Sequence, residues 1–175
     1  MCSDNIYDTK TICYHWISAA IILTLWVVGQ NIDSFEKGDP RVIVRSIHIT
    51  LGLILALVFV IRVNWRIRGG VKLPQPDGVQ GKITQGTHHL LYALMGLTIL
   101  IGIAAVWVRG DNIFNVIKIP AFDPTDEDLR ENVVDIHGFF ANSLLILAGG
   151  HALLAIWHHR ILKDGILKRM WPTLK

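Results

Sequence analysis

The chain has 175 residues, of which 51% are hydrophobic and only 18% are charged, and its formal net charge is +3. Its mean hydropathy is +0.42. A soluble domain carries about 25% charged residues, and one of this length has too little interior to bury so much apolar surface. The composition therefore argues against a soluble enzyme, a disordered protein and a disulfide scaffold, and it indicates a protein of the lipid bilayer. The two cysteines, Cys2 and Cys13, cannot by themselves build a disulfide framework or a zinc site.

Four apolar segments are long enough to cross a bilayer, which takes about 20 helical residues. They cover residues 11–30, 42–61, 87–108 and 133–157, and each is rich in Leu, Ile, Val and Ala. The first has neither the basic start nor the small-residue cleavage site of a secretory signal peptide. The sequence predicts an all-α fold, a four-helix transmembrane bundle that forms a single integral membrane domain over residues 1–175.

Three polar connections join these segments. Residues 31–41 form a short acidic loop, residues 62–86 a basic loop, and residues 109–132 the longest connection. Within the last, Pro124–Leu129 has the pattern of a short capped helix lying outside the membrane.

The charges predict the orientation. The N-terminus, the second loop and the C-terminal tail share one side and carry eleven basic and four acidic residues, whereas the other side carries six basic and ten acidic residues. By the positive-inside rule, the basic side and both termini are cytoplasmic. This topology accounts for the pI of about 9.0, so a nucleic-acid partner is not needed.

Four histidines lie within the apolar segments, where ionisable groups are costly and usually functional. His137 and His151 are fourteen residues apart, so they share a face of the fourth helix and lie about 21 Å apart along it. Pairing by depth places His15 with His151 in the inner half of the bilayer and His48 with His137 in the outer half.

Two layers with two histidines each are what bis-histidine haem requires, since each iron takes one neutral imidazole nitrogen on each face. The sequence has no Cys-x-x-Cys-His motif, so haem b is expected rather than covalently attached haem. Zinc or copper fits less well, because two imidazoles with no Cys, Asp or Glu at matching depth leave the ion under-coordinated. For any one histidine, a hydrogen-bonded interfacial role is the alternative; the joint pattern favours iron ligation.

Other residues are candidates for holding the porphyrin. Gly52 lies one turn from His48 and lets a porphyrin approach the backbone, although glycines also serve helix packing in lipid. Arg62 and Arg45 are candidate partners of haem propionates at the inner and outer surfaces. For Arg62, anchoring by the positive-inside effect is the alternative.

Four further histidines, His88, His89, His158 and His159, are predicted at the cytoplasmic ends of the third and fourth helices. They are either polar caps that reach the interface or part of a proton-handling quinone site, since imidazole titrates near neutral pH. His158 and His159 are the candidates for the quinone site.

Taken together, these residues resemble the bacterial cytochrome b561 family, which is also similar to the cytochrome b subunits of some hydrogenases and dehydrogenases. The resemblance covers almost the whole chain. It is carried by His15-Trp16, Ile47-His48, Gly52, Arg62, His89, Arg109-Gly110, His137, Ala141, His151, Ala155, His158-His159, Lys163-Asp164, Leu167, Arg169-Met170 and Pro172.

The resemblance implies two haems b, with His15 paired with His151 and His48 with His137. It also implies electron transfer between membrane quinone and a partner, and some members are reported to oxidise superoxide and reduce ubiquinone. His88 does not transfer from the family, because the histidines of the third helix are adjacent here rather than spaced.

The outer loop before the fourth apolar segment is strongly acidic. It would repel the superoxide anion unless Arg45, Arg109, Lys118 or Arg130 forms a local positive funnel, and it fits a cationic periplasmic electron-transfer protein better.

The sequence thus predicts a transmembrane dihaem electron carrier, and the resemblance implies a protein of the bacterial inner membrane whose favoured enzymatic form is a superoxide:quinone oxidoreductase. The alternative is a membrane-anchor subunit that relays electrons to or from a partner dehydrogenase or hydrogenase. A transporter without haem is a weaker alternative, since neither broken helices nor inverted repeats are evident.

Overall fold

A computed structural model describes residues 6–74 and 78–171 and consists mainly of four long helices. Each has a stretch long and apolar enough to cross a membrane, which confirms the predicted helical membrane bundle. The helices are α1 (Thr9–Asn31), α2 (Asp39–Arg68), α3 (Gly78–Arg109) and α4 (Glu127–Trp157).

The helices pack in a ring. The most extensive contacts are between α1 and α2 and between α3 and α4, and α2–α3 and α1–α4 contacts close the bundle. The buried core contains Leu25, Leu55, Met95 and Leu144, one from each helix. Large apolar side chains cover the outside, as at Ile146, which is 76% exposed. An apolar exterior of this kind suits hydrocarbon, in which helices satisfy their own backbone hydrogen bonds.

The predicted basic loop over residues 62–86 is wrong in its extent. Helix α2 continues to Arg68, and α3 begins at Gly78, nine residues before the expected start. Long cationic side chains can follow a helix to the interface while their heads stay in water, so the arginines after residue 61 do not end α2.

The separate helix predicted at Pro124–Leu129 is also wrong. Asp126 does cap a helix, because its carboxylate accepts a hydrogen bond of 2.8 Å from the Leu129 N–H. That helix is α4 itself, which runs without a break to Trp157. The connection before it contains a small antiparallel hairpin, β1 (Asn112–Ile113) and β2 (Ile117–Lys118).

Both described ends of the chain lie at the same end of the bundle, where the Tyr7 N–H donates to the Arg169 carbonyl. Nearby, Asp8 caps α1 and accepts from the N–H and hydroxyl of Thr11, the Trp65 indole and the Val71 N–H. Burial acts to raise the pKa of Asp8, but these hydrogen bonds outweigh it and lower the pKa to about 2. Cys13 is exposed on α1, whereas Cys2 and Pro172 lie outside the described residues.

Candidate functional site

The four histidines predicted as ligands meet in two pairs. The ring centroids of His15 and His151 are 6.4 Å apart, and those of His48 and His137 are 6.2 Å apart. The ring planes cross at 68° and 85° respectively. The pairing is therefore the one predicted from depth along the helices.

These separations fit one iron between each pair. Metal–imidazole distances of about 2.0 to 2.1 Å would place the centroids of two opposed rings about 6.3 Å apart. Within the described parts of the chain, no group of three or more His, Cys, Asp or Glu side chains is arranged to hold a metal ion. Two imidazoles are one of the sets of protein ligands that can hold a haem iron.

Each of the four helices contributes one residue to each site, and on every helix the two residues are fourteen positions apart. This spacing places them on nearly the same face of the helix, about 21 Å apart. We call the set near the chain ends the terminal layer and the set near the β-hairpin the hairpin layer. The terminal layer consists of His15, Arg62, His88 and His151. The hairpin layer consists of Gly29, His48, Gly102 and His137.

An apolar layer separates the terminal layer from the hairpin layer. Leu55, Met95 and Leu144 are buried, and each lies seven residues from both layers on its helix. Ile22 is the corresponding residue of α1 and packs against this cluster. The two sites are therefore held apart by a layer of four closely packed apolar side chains, one from each helix.

In the hairpin layer, a hydrogen bond fixes the tautomer of one of the two imidazoles. His137 Nδ1 lies 3.1 Å from the Thr98 carbonyl oxygen. Because a carbonyl only accepts, Nδ1 carries the proton and Nε2 has the lone pair that a metal needs. His48 Nδ1 is buried and has no hydrogen-bond partner within residues 6–74 and 78–171.

Two glycines let the helices approach these rings. A Cβ added at Gly102 would lie 2.9 Å from Cε1 of His137, and one at Gly29 would lie 3.1 Å from Cε1 of His48. Sequence reasoning missed both, although each lies fourteen residues from a polar residue of the terminal layer. It selected Gly52, where an added Cβ would meet nothing within 4 Å.

The terminal layer is more polar. Arg62 Nη2 lies 3.2 Å from His15 Nδ1, and the guanidinium also lies over the Tyr92 ring at 5.0 Å. Arginine only donates, so His15 Nδ1 accepts and Nε2 carries the proton. Ligation of iron through His15 Nε2 therefore requires that Arg62 release Nδ1 and that the proton move.

A third histidine stands beside this pair. The centroid of His88 lies 5.5 Å from that of His151, whereas His89 is exposed. Sequence reasoning missed this contact because it began the third helix at Thr87. Since α3 begins at Gly78, His88 lies almost three turns inside it.

Residues 6–173 match the family described as prokaryotic cytochrome b561. The chain belongs to this family. Membership implies haem b binding and electron transfer in a membrane, and with four spanning helices the chain is a multi-pass bacterial membrane protein.

Several curated members of the cytochrome b561 group are similar over their whole length. The chain is 26% identical to the "Probable superoxide oxidase CybB" of Yersinia pestis, covering 95% of this chain and 96% of that protein. It is 26% identical to "Cytochrome b561 homolog 1" of Escherichia coli (strain K12), covering 98% and 99% respectively. It is also 26% identical to "Cytochrome b562" of Cereibacter sphaeroides, covering 94% of each.

In this cytochrome b561 chain, α4 ends in a π-helical turn, His158–Leu162, of a kind often found at functional sites. Nδ1 of His158 contacts the Asp164 carboxylate. Burial acts to raise the pKa of Asp164, but its hydrogen bonds to His158 and to the Ile166 N–H together outweigh burial and lower the pKa. His159 is half-buried in the same turn.

At the other end of the bundle, Arg45 and Arg109 both face Asp111. Arg45 Nη1 and Arg109 Nε lie 3.5 and 3.7 Å from Asp111 Oδ1. Burial raises the pKa of Asp111 despite the two guanidinium groups, which favour its charged form. Two further residues were predicted to contribute to a positive funnel. Lys118 is exposed on β2, and Arg130 donates to the Asp126 and Pro124 carbonyls.

Proposed function

We propose that this chain binds two haems b, one at each histidine pair, and transfers electrons between the quinone pool and a one-electron donor at the opposite membrane face. The observation that carries this proposal is the geometry of the pairs, at 6.2 and 6.4 Å, joined by one unbroken helix. Haem b, when bound, supplies one-electron redox chemistry at each pair.

The orientation follows from the charge distribution. The end with the terminal layer carries the excess of basic residues, so we assign it and both termini to the cytoplasmic side of the inner membrane. The hairpin layer then lies in the periplasmic half. Residues 1–175 act as one integral membrane domain.

The four paired histidines, two arginines and one glycine have distinct roles in this proposal. His15, His48, His137 and His151 ligate iron. Arg62 and Arg45 bind propionates at the terminal and hairpin layers, which removes Arg62 from His15 Nδ1. At Gly52, the open space around the missing side chain leaves room for a porphyrin edge.

We place quinone reduction at the π-helical turn. His158 lies seven residues beyond His151, which is about 10 Å along the same face of α4. The Asp164 carboxylate orients the ring through Nδ1 and leaves Nε2 to transfer a proton. His159 is the second candidate for supplying the two protons that a quinone takes up with two electrons.

We propose superoxide as the outer donor, each anion giving one electron and leaving as oxygen. The name of the Yersinia pestis relative supports this choice. So does the Arg45–Asp111–Arg109 group, whose net charge is positive within an acidic surface. A cationic periplasmic protein is the competing donor, favoured by the acidic residues around this group.

The first test is a reduced and oxidised visible spectrum with a haemochrome count on the purified protein. We expect two haems b per chain, falling to one in His48→Ala and in His15→Ala, with a different component of the reduced α-band lost in each. Full retention of two haems in either variant would refute the ligand assignment. His89→Ala is the matched control, because His89 is exposed.

The quinone site is tested by steady-state ubiquinone reduction. We expect His158→Ala and Asp164→Asn to lower kcat at least tenfold without loss of haem, and Asp164→Glu to restore part of it. If His158→Ala and His159→Ala both leave the rate unchanged, the proton-site proposal fails.

The donor is tested with an enzymatic source of superoxide. Reduction of the haems should be abolished by superoxide dismutase. Reduction that persists with the dismutase, or that occurs only with a cationic redox protein and weakens with salt, would favour the competing donor. A partner dehydrogenase that copurifies and is needed for activity would instead indicate a membrane-anchor subunit.

A further inference from the structure

Asp111 is a buried carboxylate at the end of the bundle that carries the β-hairpin. Only 7% of its side chain is exposed, and it lies between Arg45 and Arg109. A buried charge is costly unless it is paired. Two guanidinium groups around one carboxylate leave the group with a net charge of +1.

This charged group lies over the hairpin layer. Arg45 is one turn before His48 on α2, and Arg109 is two turns beyond Gly102 on α3, so each shares a helix face with a member of that layer. Gly102 is the residue that approaches His137. The two cations are therefore on the outward side of the imidazole pair, on neighbouring helices.

The backbone holds Asp111 in place. Its N–H donates to the Val106 carbonyl, and its own carbonyl accepts from the Ile119 N–H, which closes the base of the hairpin. The hairpin is in turn fixed to α2, because the Phe114 N–H donates to the fully buried Ser46 hydroxyl at 2.8 Å. The carboxylate is thus fixed between α2 and α3.

The Arg45 side chain keeps unused bonding capacity. Its Nε is buried and has no hydrogen-bond partner in the part of the chain that the structure describes. Arg45 is therefore oriented by Asp111 through Nη1, while Nε remains available to a further acceptor.

We propose that Asp111 is a positioning residue that orients Arg45 and Arg109 over the hairpin layer and cancels one of their two positive charges, thereby setting the redox equilibrium of the haem bound there. The inference rests on the proposed dihaem function. Its physical basis is that reduction adds one negative charge, which nearby positive charge stabilises and nearby negative charge opposes.

The test is potentiometric titration of both haems in Asp111→Asn. Loss of the carboxylate charge should raise the reduction equilibrium constant of the hairpin-layer haem about tenfold, which is about 59 mV for a one-electron couple. The terminal-layer haem should change little, and Asp111→Glu should stay close to the wild type.

Asp33→Asn is the matched control. It removes one negative charge from the same end of the bundle, where Asp33 pairs with Arg41, but its side chain is 87% exposed. Exposed charges are screened by water and salt, so its effect should be small. Equal shifts in Asp111→Asn and Asp33→Asn would overturn the inference.

A second variant covers the case in which Asp111→Asn does not fold. Arg109→Gln changes the charge of the group in the opposite direction and should lower the same equilibrium constant; no change would overturn the inference. Failure of the proposed function would be distinguishable, because the wild type would then contain fewer than two haems. Two haems with unaltered potentials would refute only the role of Asp111.

Discussion

The hairpin and terminal layers share one helical spacing but differ at the positions outside the two histidine pairs. In the hairpin layer these are Gly29 and Gly102, which lie against the imidazole rings. In the terminal layer they are Arg62 and His88, whose polar side chains contact His15 and His151. One site is thus shaped by close backbone approach and the other by charge and hydrogen bonding.

In the proposed dihaem protein, this difference separates a site that is ready for its cofactor from one that must rearrange. Thr98 already holds His137 in the tautomer that leaves Nε2 free. Arg62 holds His15 in the opposite tautomer. Steric changes should therefore act mainly on the hairpin layer, and changes of charge mainly on the terminal layer.

The largest effect is expected from Gly102→Ala. The new Cβ would lie 2.9 Å from Cε1 of His137, closer than van der Waals contact allows, so the ring must leave its position. We expect haem content to fall from two towards one per chain, measured by haemochrome assay, with the terminal-layer haem retained.

Two glycine variants calibrate that result. Gly29→Ala should have a smaller effect, because its Cβ would lie 3.1 Å from the His48 ring. Gly86→Ala lies in the same helix as Gly102 but would meet nothing within 4 Å, so it should leave both haems in place. Equal haem content in all three variants would contradict the close-approach argument.

An intermediate effect is expected from Arg62→Gln. Removing the cation beside His15 should disfavour the reduced haem of the terminal layer and lower its midpoint potential by about 60 mV, a tenfold change in equilibrium constant. Redox titration measures this shift, and the hairpin-layer haem should be unaffected. Arg68→Gln is the control, since Arg68 is exposed one and a half turns further along α2; a comparable shift there would indicate a general surface-charge effect.

The smallest effect is expected from Asp8→Ala, which removes the cap of the helix that carries His15. Loss of a helix cap costs about 1 to 2 kcal/mol in the free energy of unfolding. Because the folded pKa of Asp8 is lowered to about 2, its stabilisation is present above the unfolded pKa of about 3.9 and is lost as the pH falls towards 2.

Thermal unfolding in detergent should therefore separate Asp8→Ala from the wild type at pH 7, and by roughly half as much at pH 3. Asp128→Ala, at an exposed position in the first turn of α4, is the control. A difference that persists unchanged at low pH would show that the carboxylate charge is not the cause.

The sequence was sufficient to predict the four helices and both histidine pairs, because apolar length and fourteen-residue periodicity depend only on local geometry. It was insufficient at the helix ends, where α2 and α3 extend through residues that looked like a loop. That error concealed the contact of His88 with His151.

Contacts between helices were harder to anticipate. Gly102 is one of fifteen glycines in the chain, and only the packing of α3 on α4 brings it to His137. The pairing of Asp111 with Arg45 depends in the same way on how the hairpin folds back on α2.

The apolar layer of Leu55, Met95 and Leu144 affects how charge can move across the membrane. These side chains offer no site at which a proton could bind midway through the bundle. In the proposed function, an electron that passes from the hairpin layer to the terminal layer would therefore move through this layer without a proton, and quinone would take its protons from the cytoplasmic side. Such transfer is electrogenic: against a potential of 100 mV, negative inside, a complete crossing requires work of about 2.3 kcal/mol per electron, so the donor must supply that much driving force.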